Sequence, residues 1–146
     1  MHADRRCAEL RGFQENDPFI LVMIDGDGAI FRDQYLAAAS SGGGADAAYA
    51  LLKEIKQQLQ DRFEGASQCQ VMVHIYANLE GLSKKLASVG LIPNTQDLYN
   101  FAKAFTLNQP LFSFIDVGYG KERADHKIRG TLYFQSLSAL HRFRRL

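Results

Sequence analysis

Residues 19 to 24, Phe-Ile-Leu-Val-Met-Ile, form an unbroken apolar run that ends on Asp25-Gly26-Asp27-Gly28. A strand with one face in water alternates apolar and polar side chains. A run of branched and large residues without alternation is the pattern of a strand covered on both faces, as in a parallel sheet flanked by helices. It suits a central first strand best. Parallel neighbours are joined by long crossovers, usually helical, so helices and further strands are expected to alternate downstream.

They do. After the acid pair, residues 29–39 can form a short helix, and Ser40-Ser41-Gly42-Gly43-Gly44 is expected to break it as a flexible loop. Ala48, Leu51, Leu52, Ile55, Leu59 and Phe63 follow at helical spacing, with Gly65 at the stop. Residues 68–77 read as a second strand, 79–90 as a helix ended by Gly90, and 94–106 as a helix capped by Asn94 or Thr95. Residues 111–118 read as a third strand, and 122–143 as a helix interrupted at Gly130 or as a helix and a short strand. The expected fold is α/β and Rossmann-like, with a mostly parallel sheet between helices. Residues 1–18 are read as a leader or short helix ending at Asp17-Pro18, and residues 19–146 as one domain.

Composition fits an ordinary globular protein, 47% hydrophobic and 23% charged over 146 residues. The longest apolar runs fall well short of the roughly 18 residues of a membrane span, and the polar start lacks the apolar core of a secretory signal. No membrane partner and a cytoplasmic or nuclear location are therefore expected. Cys7 and Cys69 are the two cysteines, too few for a disulfide framework or a zinc site. The net charge of +1 is unevenly spread: residues 121–146 hold seven Lys or Arg against two acids. That basic end, with Tyr133, Phe143, Arg142, Arg144 and Arg145, has the residue types that contact single-stranded nucleic acid, and equally those of a solvated tail or a subunit contact.

In open parallel sheets, ligands bind beyond the carboxyl ends of the strands, where loops and helix N-termini converge. Asp25 and Asp27 follow the first strand, Asn78 the second and Asp116 the third, while Asp125 lies where the next helix starts. Carboxylates gathered from separate strand ends repel one another unless a cation lies among them, and hard oxygen donors suit Mg2+ or Mn2+. Asp25, Asp27, Asp116 and Asp125 are the expected metal ligands. Water activated by the metal would then attack a phosphodiester. The same acids also serve as helix caps and turn residues in many proteins. Lys121 stands four residues before Asp125 and is placed to neutralise the acids or to contact phosphate. Arg123 and Asn78 are further candidate substrate contacts, Asn78 being equally suited to capping the helix from Leu79.

Three stretches, Val22–Phe31 (VMIDGDGAIF), His74–Ile92 (HIYANLEGLSKKLASVGLI) and Phe101–Ile128 (FAKAFTLNQPLFSFIDVGYGKERADHKI), together resemble an uncharacterised domain of fungal tandem CCCH zinc-finger proteins. That domain is itself similar to the NYN domains of the PIN-like nuclease superfamily. The resemblance covers residues 19–129. It implies a PIN/NYN-like fold and metal-dependent cleavage of RNA, with Asp25 matching the Asp of an IDG-type first strand and Lys121 and Asp125 matching a pairing that opens a later helix; the RNA partner is expected to be single-stranded. Asp25, Asp27, Asp125 and Lys121 are accordingly the expected catalytic residues. PIN-like domains usually carry a further acid beyond the last helix, and residues 126–146 contain neither Asp nor Glu. The cysteines of the zinc fingers are absent as well.

Two other function classes remain open. The Asp25-Gly26-Asp27-Gly28 pattern also matches haloacid-dehalogenase-like phosphatases, with Asp25 as nucleophile and Asp27 as acid and base. Those enzymes need a Ser or Thr after the next strand, where this chain has Ala77-Asn78. The third reading is a catalytically inactive module that binds RNA or protein, and an uncovered sheet edge would favour a homodimer. His74, inside the second strand, reads as a half-buried core histidine, and His126 does not complete a Ser-His-Asp set.

Overall fold

A computed structural model describes residues 19–28, 31–62, 64, 68–120, 123 and 126–128. Three strands, β1 (Phe19–Asp25), β2 (Gln70–Ala77) and β3 (Phe112–Asp116), form a parallel sheet in the order β1-β2-β3. The first crossover contains α1 (Asp33–Ala37), a 3-10 turn (Ala39–Ser41) and α2 (Gly43–Gln60); the second contains α3 (Leu79–Ser88) and α4 (Thr95–Asn108). The fold is α/β, as the alternation of apolar runs and helical periods implies.

The register explains the unbroken apolar run. Val22, Val73 and Phe112 are in line across the sheet, as are Ile24, Ile75 and Phe114. These residues pack against the helices in the larger core, with Leu51, Ile55, Leu98, Phe101 and Phe105. The intervening residues of β1, Leu21 and Met23, face the other way and belong to a second core with Tyr76, Val117 and Ile128. Both faces of β1 are therefore buried. Expected to be central, β1 pairs with β2 alone among the described residues and is the outer of the three described strands. Burial of both faces needs cover above and below the sheet, which an edge strand can also have.

Aromatic packing ties the chain beyond the acid pair to this core. The Phe31 ring lies 4.8 Å from Phe101 and 5.8 Å from Phe105, edge to face, and stacks on Phe114 at 6.3 Å. Phe105 in turn lies 5.5 Å from Phe112. Such pairs contribute about 0.5–1.5 kcal/mol each beyond area burial. Phe31 thus fixes the return path of the turn that carries Asp25 and Asp27.

Helix ends follow their sequence signals. Gly90 has φ +74° just after α3, and the buried Asp97 carboxylate accepts the Asn94 N–H at the start of α4. The glycine run at 42–44 does not form a flexible loop. Gly42, with φ +106°, ends the 3-10 turn, and Gly43 and Gly44 are the first, buried residues of α2. A methyl group on Gly43 would meet the Tyr35 carbonyl, and one on Gly44 the Phe101 carbonyl of α4. These glycines serve close packing of backbones. Phe63 and Gly65 lie outside the described residues, as do residues 1–18 and 129–146.

Gly44→Ala tests this. The added carbon would meet the backbone carbonyl carbon of Phe101 at 2.9 Å and the Phe105 nitrogen at 3.0 Å, which flexible side chains cannot relieve. Overpacking of this kind costs about 1–3 kcal/mol, more than the roughly 1 kcal/mol that alanine gains in helix propensity. A fall in Tm of several degrees is expected in thermal denaturation. An unchanged Tm would show that α2 and α4 can separate freely.

Candidate functional site

The carboxyl ends of the three strands lie almost level, Asp25 beside Tyr76 and Asp116 beside Ala77. The chain leaves β1 in a tight turn. Gly26 N–H donates to the Tyr76 carbonyl at 2.7 Å and Gly28 N–H to the Asp25 carbonyl at 3.3 Å. Asp25 Oδ1 accepts the Asp27 N–H at 3.1 Å. This turn brings the Asp27 carboxylate to the end of β2, where its two oxygens accept the Asn78 N–H at 3.1 and 3.3 Å.

The opposite side is built from β3. Val117 N–H continues the pairing to the Ala77 carbonyl at 3.0 Å. Asp116 Oδ1 accepts both the Leu79 N–H at 3.2 Å and the Gly118 N–H at 3.0 Å. Asn78 caps α3, its Oδ1 accepting the Gly81 N–H at 3.0 Å. The donors that a helix leaves unpaired in its first turn are thus shared between its own cap and an acid from β3. Because Asn78 and Leu79 are consecutive, Asp27 and Asp116 converge on one short piece of backbone.

That convergence carries an electrostatic cost. Asp27 is exposed, yet its pKa is raised, first by partial desolvation of the carboxylate against the turn and then by the negative charges of Asp25 and Asp116; the Asn78 N–H and the Lys85 ammonium act in the opposite direction. Lys85 was absent from the sequence-based set. It lies seven residues after Asn78, about two helical turns, and helical side chains lean toward the N-terminus, so its charge acts back toward the cap. That spacing was readable, but any surface lysine on the same face would share it.

Donor chemistry suits a hard divalent cation, since the acids offer oxygen alone. Among the described residues, Asp25 Oδ2 and Asp116 Oδ2 accept no hydrogen bond, whereas both Asp27 oxygens are engaged. Yet no group of three or more potential ligands is assembled among the described residues. β1 and β3 stand two strand spacings apart, about 10 Å, so Asp25 and Asp116 alone do not close around one point. Asp125 and Lys121 lie outside the described residues.

Of the other sequence candidates, Arg123 lies across the Gly118–Gly120 loop. His74 is half-buried, its Nδ1 3.2 Å from the Tyr76 hydroxyl, and burial lowers its pKa. His126 is exposed. Cys69 is a free, half-buried thiol. Among the described residues no helix is long and apolar enough to cross a membrane.

The sign of the Asp27 shift yields a test. A carboxyl whose pKa is raised on folding weakens the fold once it ionises, and the penalty vanishes below its unfolded pKa. Asp27→Asn retains an oxygen for the Asn78 N–H and removes the charge. In EDTA, its Tm is expected to exceed that of the wild type at about pH 7 and to match it at about pH 3.5, below the ordinary aspartate pKa, where the Asp27 carboxyl is largely protonated in both states. A lower Tm at about pH 7 would mean that the ionised hydrogen bonds to Asn78 outweigh the repulsion.

No curated protein and no solved structure matches the chain. One family model does, over residues 14–140, and its description is a domain of unknown function, DUF7923. The match takes in the whole sheet, all the helices described above and every acid of the cluster, and on that extent the chain belongs to the DUF7923 family.

Proposed function

We propose that the chain is a metal-dependent ribonuclease domain whose substrate phosphodiester binds at the carboxyl ends of the strands. The observation that carries this reading is the convergence of Asp27 and Asp116 on the consecutive Asn78 and Leu79 N–H groups. Asp25 contributes a third negative charge to the same region. Packing has little use for such a concentration of like charge, and raised carboxyl pKa values gather at functional sites. The resemblance to NYN-type domains adds RNA as the substrate class and Asp125 and Lys121 as further members of the site.

In this reading, the oxygens of Asp25 and Asp116 that accept no described hydrogen bond would be available to the ion, with Asp125 as the further ligand that these two strand ends do not supply by themselves. A Mg2+ or Mn2+ ion, when bound, lowers the pKa of water and offsets phosphate charge. Asp27, held at both oxygens by Asn78, positions the turn and accepts a proton more readily than an ordinary aspartate. Asn78 holds the α3 terminus, whose positive end favours an approaching phosphate. Lys85 and Lys121 balance the carboxylate charge while the site is empty of substrate.

The raised Asp27 pKa also suits the acid and base of a haloacid-dehalogenase-like phosphatase, in which Asp25 would attack phosphorus. The two readings differ in their products. A nuclease shortens a labelled single-stranded RNA; the phosphatase releases phosphate from a monoester and passes through an acyl-phosphate on Asp25.

Manganese calorimetry on the wild type and Asp25→Asn, followed by incubation with labelled RNA, separates these outcomes. Binding and cleavage by the wild type are expected, with cleavage reduced at least about 100-fold in the variant, the scale set by removing a group that acts in the transition state. Asp25 is half-buried at a strand end and its variant is expected to fold, as circular dichroism would show. Equal cleavage by both proteins would remove Asp25 from the mechanism. No metal binding and no cleavage by the wild type would make the domain a noncatalytic module.

A further inference from the structure

Two glycines flank the hydrogen bond between the Asp27 carboxylate and the Asn78 N–H. Gly81 lies in the first turn of α3, and Gly26 precedes Asp27 in the turn after β1. Neither has a positive φ, unlike Gly42, Gly90, Gly118 and Gly120, so backbone conformation does not call for glycine at either position. Both positions are crowded instead. A β-carbon on Gly81 would come within 2.7 Å of Asn78 Nδ2 and 3.1 Å of Asn78 Cγ. One on Gly26 would meet Ile75 Cγ2 at 2.9 Å, Ala77 Cβ at 3.0 Å and the Tyr76 carbonyl oxygen at 3.2 Å.

The two spaces are filled by different groups. Over Gly81 it is the Asn78 amide, whose Oδ1 accepts the Gly81 N–H at 3.0 Å. A side chain at position 81 would turn that amide away, and the cap that fixes the first turn of α3 would be lost with it. The Asn78 and Leu79 N–H groups would then no longer be held in the direction of Asp27 and Asp116. At Gly26 the space is closed by β2 itself, where Ile75 and Ala77 are fully buried and have no room to move. The missing side chain lets the Gly26 N–H approach the Tyr76 carbonyl to 2.7 Å and lays the turn against the end of β2. A side chain there would lift Asp27 off Asn78. One glycine therefore places the donor of this hydrogen bond and the other its acceptor.

We propose that Gly81 and Gly26 are positioning residues of the acid cluster: their missing side chains hold the Asn78 N–H and the Asp27 carboxylate together, and so set how Asp25, Asp27 and Asp116 stand to one another. The consequence for cation binding rests on the ribonuclease reading; the positioning itself does not.

The test titrates the full 15N-labelled chain by NMR in EDTA and measures Mn2+ affinity by calorimetry on separate metal-free samples. In the wild type, the Asn78 amide proton should follow the ionisation of Asp27, above the ordinary aspartate range. Gly81→Ala should largely lose that response and bind Mn2+ about 10- to 100-fold more weakly, the scale of losing a group that orients metal ligands. Adding Asn78→Ser to Gly81→Ala keeps a capping oxygen, removes the obstructing nitrogen and should restore both. Gly26→Ala should repeat the loss, and Gly81→Ala decides the case if the buried contacts of Gly26 prevent folding. Gly44→Ala, whose clash is with α4, should keep the wild-type amide response and Mn2+ affinity while it remains folded, which separates positioning from stability.

A wild-type Asn78 response together with a raised Tm in Gly81→Ala would overturn the proposal, since alanine would then act only as the better helix former. Failure of Asn78→Ser to restore the response would overturn it as well. Loss and rescue of the amide response without Mn2+ binding by the wild type would uphold the positioning and remove the metal reading instead.

Discussion

The start of α3 is the point at which the strand ends, the acids and the second crossover are joined. Asn78 caps the helix from within, Asp116 accepts the Leu79 N–H, and Asp27 accepts the N–H of the cap residue itself. The last two link the end of β3 and the turn after β1 to one helical turn, into which β2 leads directly. If α3 shifted by one residue, Asp27 and Asp116 would lose their donors together. The parallel register prevents such a shift, because moving β2 by one residue would turn Val73 and Ile75 away from the helices.

Much of this order was legible in the sequence. An apolar run ending on acids marks a buried strand whose carboxyl end is polar, and the Asn78 and Asn94 caps stand where side-chain oxygens meet unpaired helix donors. The same signals placed Asp25, Asp27, Asn78 and Asp116 at one edge of the sheet. The glycine run was ambiguous for a physical reason. Glycine permits flexibility and permits backbone contact, and the choice is made by the Phe101 carbonyl, far along the chain. The number of hydrogen-bonded neighbours of β1 was equally out of reach, since burial on both faces describes only cover above and below the sheet.

Lys85 shows the other limit. Surface lysines carry no periodic signal, and their bearing on a strand end depends on which helix turn brings them beside the acids. Lys85 bears on the cluster because its charge acts on Asp27. Sequence reasoning picks out residues whose chemistry is scarce at strand ends and passes over a lysine whose chemistry is common but well placed.

The acid cluster has both a structural and a chemical part, and the hydrogen bonds separate them. Asp27 spends both oxygens on the Asn78 N–H, which is capping geometry, yet its pKa is raised although a hydrogen bond from an N–H lowers a carboxyl pKa. Partial desolvation and neighbouring negative charge therefore outweigh that bond. A carboxylate needed only to hold the backbone would do so at lower cost if Asp25 and Asp116 were neutral, since the amide oxygen of asparagine accepts the same N–H. Asp116 holds Leu79 and Gly118 through one oxygen and leaves the other without a described donor. Capping accounts for where these side chains point; it does not account for their being charged. The remaining charge is the property that a divalent cation would use, and it is the reason to seek chemistry at this edge of the sheet.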